Sequence, residues 1–266
     1  MMGGKVVLVT GAGRGLGREI CLRAVRAGAT VVGGSRTWAD LDALAIEIRS
    51  DEIGGSFVGL PLDVTDLASV DAFVGEAAER FGRVDGLVNN TGAGVSLPSM
   101  EVDDNQFQHT FDFNTRSMFF CSQRAARVMV DQGGGGAIVN ISSNFATAGV
   151  GVRSVYSAAK AAVDSLTRSF AVEWAAHGIR VNTVSPGTMN TPGYRRALED
   201  APAMVESLVA MTPSGRIAEP AEVAALVVFL LGEDCAAMTG QVITVDGGQT
   251  VPLAALATRG PSGIPA

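Results

Sequence analysis

Residues 6–17 have the sequence VVLVTGAGRGLG, a short apolar run followed at once by a glycine-rich turn. The run from Val6 to Val9 predicts a buried strand, and residues 19–28 predict a helix that stops at Gly28. Glycines between a strand and a helix let the backbone approach a pyrophosphate, whose charge is favoured at the helix N-terminus. Such turns also serve as plain connectors, but this placement favours a phosphate-binding loop.

The alternation of strand and helix continues along the chain. Further strands are predicted at 29–34, 57–62, 84–88, 137–141, 179–184 and 242–245, and further helices at 38–48, 70–82, 104–131, 154–177 and 219–231. This order implies right-handed crossovers and therefore a Rossmann-type α/β fold, a doubly wound parallel sheet of about seven strands with helices on both faces. Ligands of such sheets bind at the carboxyl ends of the strands.

The size and composition of the chain suit one domain. With 266 residues and 47% hydrophobic content, residues 1–250 can form a single dinucleotide-binding and catalytic domain around one core. Residues 188–215 contain several prolines and glycines around a short apolar helix, and we interpret them as a substrate lid. Residues 251–266 are interpreted as a C-terminal tail, because they are rich in small residues, glycine and proline.

Charge and cysteine content exclude several classes of partner. A formal net charge of -7 argues against nucleic acid and anionic membranes, so any anionic ligand must be met by local cations. The cysteines Cys21, Cys121 and Cys235 are scattered, without a CxxC motif or a nearby histidine, and we expect reduced thiols and no metal site. The sequence shows no signal-peptide pattern and no apolar run long enough to span a bilayer, which favours a cytoplasmic protein.

Tyr156 and Lys160 stand four residues apart in a predicted helix, so their side chains leave one face a turn apart. An ammonium near a phenol stabilises the phenolate, and we expect Lys160 to lower the pKa of Tyr156 so that it can act as an acid or base near neutral pH. This spacing also occurs on many solvated helix faces. Ser143 favours the catalytic interpretation, because it places a hydroxyl at the end of a buried strand, beside the expected ligand crevice.

Several separate motifs follow one another in the order typical of one family. They are TGxxxGxG at 10–17, NNTG at 89–92, Ser143, YxxxK at 156–160 and the pair Pro186-Gly187. On these motifs the chain resembles the short-chain dehydrogenase/reductases from about Lys5 to Gly248. Thr91 departs from the family pattern, which has alanine at this position, and it adds a hydroxyl and a methyl group near the expected cofactor.

The resemblance implies a nicotinamide cofactor across the sheet and hydride transfer to or from a carbonyl or secondary alcohol carbon. Tyr156 would exchange the proton of the substrate oxygen, and Ser143 would hold that oxygen by a hydrogen bond. Lys160 would lower the pKa of Tyr156 and bind the nicotinamide ribose. Asn114 would support a proton-relaying water, although an asparagine inside a helix can also be merely solvated or bonded to the backbone.

The resemblance also implies which residues surround the ligands. Asp63, with Val64 beside it, would hold the adenine edge, and it could also cap the next helix. The residues expected to contact the cofactor are Gly11, Gly13, Arg14, Gly15, Leu16, Gly17, Ser35, Arg36, Asp63, Val64, Asn90, Thr91, Gly92, Tyr156, Lys160, Pro186, Gly187, Thr188 and Thr191. Those expected to contact the substrate are Gly94, Ser96, Ser143, Asn144, Phe145, Val150, Tyr156, Met189 and Tyr194.

The end of the second predicted strand bears on the choice of cofactor. NAD sites of this type usually place an acidic residue there for the adenosine ribose hydroxyls, whereas this chain has Ser35 followed by Arg36. A carboxylate would repel a 2′-phosphate, whereas Arg36 and Arg14 can offer it charge-assisted hydrogen bonds. We therefore expect NADP(H), and NAD(H) stays open if both arginines are ordinary surface charges.

The leading prediction is an NADP(H)-dependent ketoreductase or secondary-alcohol dehydrogenase. A 3-oxoacyl-thioester reductase would want a basic surface for an acidic carrier, which the net charge of -7 does not support. A non-catalytic NADP(H)-binding regulatory protein would have no need of Asn114, Ser143, Tyr156 and Lys160 together. The predicted helices 104–131 and 154–177 carry apolar residues beyond one face, which predicts a homo-oligomer, and the family resemblance makes it a tetramer.

Overall fold

The computed structural model describes residues 2–50, 54–199 and 202–251. Its strands are β1 (Val6–Thr10), β2 (Thr30–Ser35), β3 (Ser56–Pro61), β4 (Gly86–Asn89), β5 (Gly136–Ile141), β6 (Ile179–Pro186) and β7 (Val242–Val245). All neighbouring strands pair in parallel, in the order β3-β2-β1-β4-β5-β6-β7. The predicted doubly wound α/β fold is confirmed, and its direction of winding reverses between β1 and β4.

Helices cover both faces of this sheet. They are α1 (Gly15–Arg26), α2 (Trp38–Ser50), α3 (Leu67–Phe81), α4 (Asp104–Phe111), α5 (Ser117–Asp131), α6 (Ser154–Trp174), α7 (Pro192–Glu199), α8 (Pro202–Ala210) and α9 (Pro220–Leu231). Successive side chains of β1 point to opposite faces of the sheet. Val7 and Val9 pack into a buried cluster with α1, α2 and α9, whereas Val6 and Leu8 pack into a second cluster with α3, α5 and α6.

The long helix predicted at 104–131 is interrupted. Asp112–Arg116 form a π-helical turn between α4 and α5, in which the N–H of Ser117 donates to the carbonyl of Asp112. The prediction of one continuous helix is wrong here, because the apolar periodicity of the flanking turns does not reveal a single wider turn. π-helical turns are frequent at functional sites, and this one contains Asn114.

The segment 188–215 contains two helices, α7 and α8, rather than the single short apolar helix that we predicted. Each begins at a proline, which is compatible with the first position of a helix because its missing N–H has no partner there. The segment departs from the sheet where Met189 pairs with Ala218. There Asn190 donates its N–H to the carbonyl of Ala218 at 2.9 Å, and this pairing joins the two ends of the segment.

Other predictions concern cysteines, membranes, metals and the tail. All three cysteines are buried free thiols, as expected. Within the described ranges no helix is long and apolar enough to cross a membrane. The same residues contain no group of three or more histidine, cysteine or acidic side chains that could hold a metal ion. Apart from Val251, the predicted tail 251–266 lies outside the residues that the structure describes.

Candidate active site

The glycine loop runs directly into α1, which begins at Gly15 and therefore earlier than predicted. Its N-cap residue, Arg14, makes no side-chain capping hydrogen bond. The first-turn N–H groups and the helix dipole together favour an anion at this point. Gly17 is required by a close approach of the backbone, because a Cβ there would collide with the carbonyl oxygen of Gly11.

A cleft of about 440 Å³ opens at the carboxyl ends of β1, β2, β4, β5 and β6. It brings together most of the predicted cofactor residues: Gly11, Gly13, Arg14, Leu16, Ser35, Arg36, Asp63, Val64, Asn90, Thr91, Gly92, Tyr156, Lys160, Pro186 and Gly187. Four predicted residues, Gly15, Gly17, Thr188 and Thr191, do not line it, although the Thr191 methyl group lies beside Gly15.

Sequence reasoning missed six residues of the cleft lining. They are Thr37, Leu62, Ala93, Phe113, Ile141 and Ser142. Each stands within two positions of a predicted site residue, so the sequence neighbours of those residues were the available signal. Phe113 lies beside Arg36, whose guanidinium carbon is 5.8 Å from the centre of the Phe113 ring.

Asn90 joins the ends of β1 and β4 at the reversal of winding. Its N–H donates to the Thr10 hydroxyl at 3.0 Å, and its side-chain amide donates to the carbonyls of Thr10 at 3.0 Å and Gly11 at 3.2 Å. The Thr10 hydroxyl also accepts the N–H of Thr91 at 3.2 Å. The Thr91 hydroxyl is buried and has no hydrogen-bond partner among the described residues. The glycine loop is therefore held rigidly against the cleft floor.

Ser143 and Tyr156 meet at the end of β5. Ser143 is 8% exposed, and its hydroxyl accepts the N–H of Phe145 at 3.2 Å. Burial raises the pKa of Tyr156, while a hydrogen bond with Ser143 and the positive charge of Arg153 oppose the rise. The expected net lowering of the pKa of Tyr156 is thus wrong in this structure, because desolvation of the phenolate is the largest effect.

Lys160 is 2% exposed, and its ammonium donates to the carbonyl of Ile141 at 2.9 Å. The ammonium nitrogen lies 5.8 Å from the centre of the Tyr156 ring. Burial lowers the pKa of Lys160 to about 8, and the carboxylate of Asp164, one turn further along α6, opposes this. Asp164 is itself buried, and its pKa is raised by desolvation. The ammonium is thus held at the cleft by a backbone carbonyl and a nearby acidic group.

The π-helical turn places Asn114 beside Lys160. The Asn114 amide donates to the carbonyl of Thr110 at 2.7 Å and to the carbonyl of Ala93. Its side-chain oxygen is buried and has no hydrogen-bond partner in the described part of the chain. Gly92 separates the two side chains, because a Cβ at Gly92 would lie 2.7 Å from the Lys160 ammonium and 3.1 Å from that oxygen. A side chain at this position would therefore crowd both groups.

Asp63 and Arg36 form the far end of the cleft. The Asp63 carboxylate accepts the N–H of Thr65 at 3.0 Å and the Thr65 hydroxyl at 2.7 Å, which hold its pKa below the usual range. The charge of Arg36 adds a smaller contribution in the same direction. The cap of α3 is Asp66, whose carboxylate accepts the N–H of Ala68. The alternative role of Asp63 as a helix cap is therefore wrong.

The predicted substrate residues are dispersed. Ser143, Tyr156 and Met189 line the cleft, whereas Gly94, Ser96, Asn144, Phe145, Val150 and Tyr194 do not. Gly94 accepts a hydrogen bond from Arg153 at 3.3 Å. The Tyr194 side chain is hydrogen-bonded to that of Thr188. Ser96 is exposed and Val150 is partly buried, both away from the lining.

Gln249 is a residue of the site region that sequence reasoning missed. Its side-chain oxygen accepts the Asn144 amide at 3.0 Å and the Thr188 N–H at 3.3 Å. Its amide nitrogen donates to the Thr212 hydroxyl at 2.9 Å. One side chain therefore joins the segment after Ser143, the start of 188–215 and its end. No local pattern in the sequence signals such a distant set of contacts.

Comparisons with known proteins extend over nearly the whole chain. A family model described as Enoyl-(Acyl carrier protein) reductase matches residues 11–250. The L-xylulose reductase of Bos taurus is 38% identical over 247 residues, which cover 93% of this chain and 97% of that protein. The galactitol 2-dehydrogenase (L-tagatose-forming) of Cereibacter sphaeroides is 36% identical over 251 residues, 93% of this chain and 96% of that protein. A short-chain type dehydrogenase/reductase structure from Mycobacterium ulcerans superposes with a TM-score of 0.88 at 33% identity, covering 93% of this chain and 90% of that one.

Proposed function

Because the chain belongs to the short-chain dehydrogenase/reductase family, we propose that it transfers a hydride between NADP(H) and a ketone or secondary alcohol, with Tyr156 as the general acid and base. It is an NAD(P)-dependent oxidoreductase that acts on alcohol or carbonyl substrates. The observation that carries the proposal is the meeting of Ser143, Tyr156 and Lys160 at one cleft. The identity of the substrate and the preference for NADP(H) belong to the proposal.

The residues of the cleft fit a nicotinamide dinucleotide. The N-terminus of α1 offers N–H groups to a pyrophosphate, and the packing of Gly17 against Gly11 brings the backbone close to it. The buried Lys160 ammonium would hold the nicotinamide ribose, and Asp63 would hold the adenine edge. When bound, the cofactor supplies or accepts the hydride. The polypeptide supplies binding, orientation and proton transfer.

Tyr156 and Ser143 would bind the reacting oxygen of the substrate from two sides. In reduction the Tyr156 hydroxyl donates its proton to the carbonyl oxygen, and in oxidation the phenolate accepts the hydroxyl proton. Ser143 donates a hydrogen bond to the same oxygen, which stabilises the negative charge that develops there. The burial that raises the pKa of Tyr156 keeps the phenol protonated near neutral pH, which suits carbonyl reduction.

Lys160 and Asn114 would support this proton transfer. The Lys160 ammonium lies next to the phenol and favours its ionised form once the proton has left. The unpartnered Asn114 oxygen lies near that ammonium on the other side of Gly92, which suits a water between them. We propose that such a water passes protons between Lys160 and the solvent.

The segment 188–215 is proposed to close over the substrate. Its two ends meet at the pair Met189 and Ala218, and Met189 also lines the cleft. The Gln249 side chain binds both ends of the segment through Thr188 and Thr212. A segment anchored at its base and carrying two helices can cover the cleft without disturbing the sheet.

The preference for NADP(H) is proposed from the charges at the end of β2. Ser35 stands where an acidic residue would repel a 2′-phosphate, and Arg36 and Arg14 both line the cleft. Within the described residues neither guanidinium forms an ion pair with a carboxylate. Both are therefore available to a phosphate, which an arginine binds with charge-assisted hydrogen bonds.

We expect the protein to bind NADPH more tightly than NADH, and the change Arg36→Met to weaken NADPH binding by about 10- to 100-fold. NADH affinity should stay within about threefold, because NADH has no 2′-phosphate for the guanidinium to bind. Nicotinamide fluorescence in a titration measures both affinities without a guess at the substrate. The control is Arg49→Met, which removes an exposed arginine from the last turn of α2.

Equal or tighter binding of NADH by the wild type would contradict the 2′-phosphate site. The dehydrogenase assignment would stand in that case. Binding of neither nucleotide would favour the non-catalytic alternative. A 3-oxoacyl-thioester reductase would bind NADPH and reduce acyl thioesters in preference to simple ketones, so a comparison of these two substrate classes separates that alternative.

The predicted homotetramer and its cytoplasmic location stay predictions. The outer faces of α5 and α6 form a groove lined by aromatic and aliphatic side chains, among them Phe119, Leu166, Phe170 and Trp174. The rings of Phe170 and Trp174 stack at 4.2 Å, so this groove has a preformed apolar floor. Association through the groove would remove apolar surface from water. Light scattering at micromolar concentration measures the mass, and a monomer would contradict the prediction.

A further inference from the structure

Arg153 is a cation that the proposed mechanism does not use. It precedes α6 by one residue, and its guanidinium carbon lies 5.9 Å from the centre of the Tyr156 ring. One of its nitrogens donates to the carbonyl of Gly94 at 3.3 Å. The side chain is therefore held beside the proton-transferring phenol by two separate contacts.

The Arg153 guanidinium forms no ion pair with a carboxylate in the part of the chain that the structure describes. The residue is partly buried, and among the described residues its one hydrogen bond, to the carbonyl of Gly94, uses only one of its five donors. Removing the charge of an arginine from water is unfavourable unless polar or charged groups compensate it. Arg116 and Arg180 are likewise partly buried and form no ion pair among the described residues, so what distinguishes Arg153 is its place beside Tyr156.

The backbone before Arg153 is strained. Val152 has φ 57°, a left-handed conformation that is a genuine outlier for a β-branched residue. Its carbonyl accepts the N–H of Leu97 at 3.0 Å, which ties this turn to the loop that contains Gly94. Strain of this kind persists only where the surrounding structure imposes it, and it clusters at sites that bind ligands. Here the strained turn at Val152 fixes the position of Arg153, the N-cap residue of α6.

The positive charge of Arg153 affects two tyrosines. Its charge acts on both Tyr156 and Tyr194, and it lowers the pKa of each against the larger effect of burial. Ser143 is hydrogen-bonded to Tyr156, and Thr188 is hydrogen-bonded to Tyr194. The charge of Arg153 therefore acts on both the proton-transferring tyrosine and Tyr194 of α7.

We propose that Arg153 selects the substrate by binding a carboxylate next to the reacting carbon, so that the preferred substrates are short oxo acids and the matching hydroxy acids. This inference rests on the proposed hydride transfer and names the substrate class of the same site. A carboxylate one or two carbons from the reacting carbonyl reaches toward the guanidinium while the carbonyl oxygen meets Tyr156 and Ser143. The planar guanidinium matches a carboxylate with two parallel hydrogen bonds.

A carboxylate explains the observations better than a neutral hydroxyl does. A sugar hydroxyl would be satisfied by Tyr194 or Ser143 alone and would leave the charge of Arg153 uncompensated. A bound carboxylate neutralises that charge inside the site, where electrostatic interactions are stronger than in water. It also fixes the substrate at a second point, which orients the carbonyl carbon for hydride transfer.

The test compares 2-oxo and 3-oxo acids with their methyl esters, which have the same carbonyl but no charge. For the wild type we expect kcat/KM to be at least about tenfold higher for the best acid than for its ester. In Arg153→Met we expect kcat/KM of the acids to fall by about 10- to 100-fold, mainly through KM, while that of the esters changes by less than about threefold. Arg153→Lys should restore part of the preference for acids, and Arg49→Met is the control.

Two results would overturn the inference and leave the proposed function standing. One is a wild type that prefers the esters, and the other is an equal loss for acids and esters in Arg153→Met. Direct binding of the oxo acids to the protein with NADP+, measured by calorimetry, gives a readout that does not need turnover. Absence of that binding in a protein that binds NADPH also overturns the inference. Failure of the proposed function differs from all of these, because it leaves neither nucleotide binding nor reduction of any ketone.

Discussion

The change Tyr156→Phe should lower kcat by about 10²- to 10⁴-fold and leave the affinity for NADPH within about threefold. The substitution removes the hydroxyl that exchanges the substrate proton and keeps the ring, which contacts Arg153 and Lys160. Because only proton transfer is lost, kcat and kcat/KM should fall together. Steady-state kinetics with NADPH and any ketone that the wild type reduces measures the effect.

Tyr194→Phe is the matched control, because the chain has only two tyrosines. It removes a hydroxyl from α7 that is hydrogen-bonded to Thr188, and we expect turnover to stay within about tenfold of the wild type. If Tyr156→Phe retained wild-type turnover, Tyr156 could not be the proton donor. An equal loss in both variants would indicate a general disturbance of the site instead.

The pH dependence of the two directions should have opposite signs. Burial raises the pKa of Tyr156, so the phenol is protonated near neutral pH and ionises only at alkaline pH. Reduction needs the protonated phenol, and its rate should fall as pH rises through this pKa. Oxidation needs the phenolate, and its rate should rise over the same interval. Profiles of kcat/KM for both directions, measured with one alcohol and ketone pair, show the two signs directly.

The change Lys160→Met should lower kcat by about 10²- to 10³-fold, an effect comparable to the loss of one preorganised charge-stabilising donor. Unlike Tyr156→Phe, it should also weaken nucleotide binding, because the same ammonium is proposed to hold the nicotinamide ribose. Methionine fills a similar volume, so the buried site stays packed. The control is Lys5→Met, which removes the only other lysine of the chain, at a surface ion pair with Glu233.

Lys160 should also make the stability of the protein depend on pH. Its pKa is about 8 in the folded chain against 10.5 as the ordinary value, so between these values the unfolded chain binds more protons. The free energy of unfolding of the wild type therefore rises with pH across this interval. Below about pH 8 Lys160 is charged in both the folded and the unfolded chain, and the buried charge lowers the free energy of unfolding by its full amount. Relative to Lys160→Met, the free energy of unfolding of the wild type should rise by up to about 3 kcal/mol between the two pKa values.

Urea unfolding of the wild type and Lys160→Met at a series of pH values measures this difference. The comparison of the two proteins cancels the titration of all other groups that they share. A difference in unfolding free energy that does not change with pH would show that Lys160 titrates normally. The proposed environment of the ammonium, buried against the carbonyl of Ile141, would then be wrong.

The interrupted helix marks a limit of sequence reasoning. Apolar residues at helical spacing predicted one helix at 104–131, and both ends of it are helical in the structure. The wider turn at Asp112–Arg116 leaves no mark in that spacing, because it shifts the pattern by only part of a turn. The asparagine was the available signal, since its polar side chain is unfavourable inside a helix unless it has partners such as Thr110 and Ala93.

Contacts between distant parts of the chain mark a second limit. The sequence indicated Tyr156 and Lys160 through their spacing, but the pKa of Tyr156 depends on how deeply the ring is buried, and the predicted direction of the shift was wrong. Arg153 was not singled out, although it is only three positions before Tyr156. Its importance comes from its place beside the Tyr156 ring and from the strained turn at Val152.

The succession of strands and helices along the chain, the glycine loop and the residue types at the strand ends were readable from the chain alone, because each depends on neighbours a few positions away. Alternating apolar runs and helical stretches predict a parallel sheet, and a parallel sheet gathers the ends of its strands at one edge. The tertiary structure decided the rest: the depth of Lys160, the π-helical turn at Asn114 and the contacts of Gln249 with three segments. Burial and long-range hydrogen bonds are properties of groups that are far apart in sequence, so they follow only once the chain has folded.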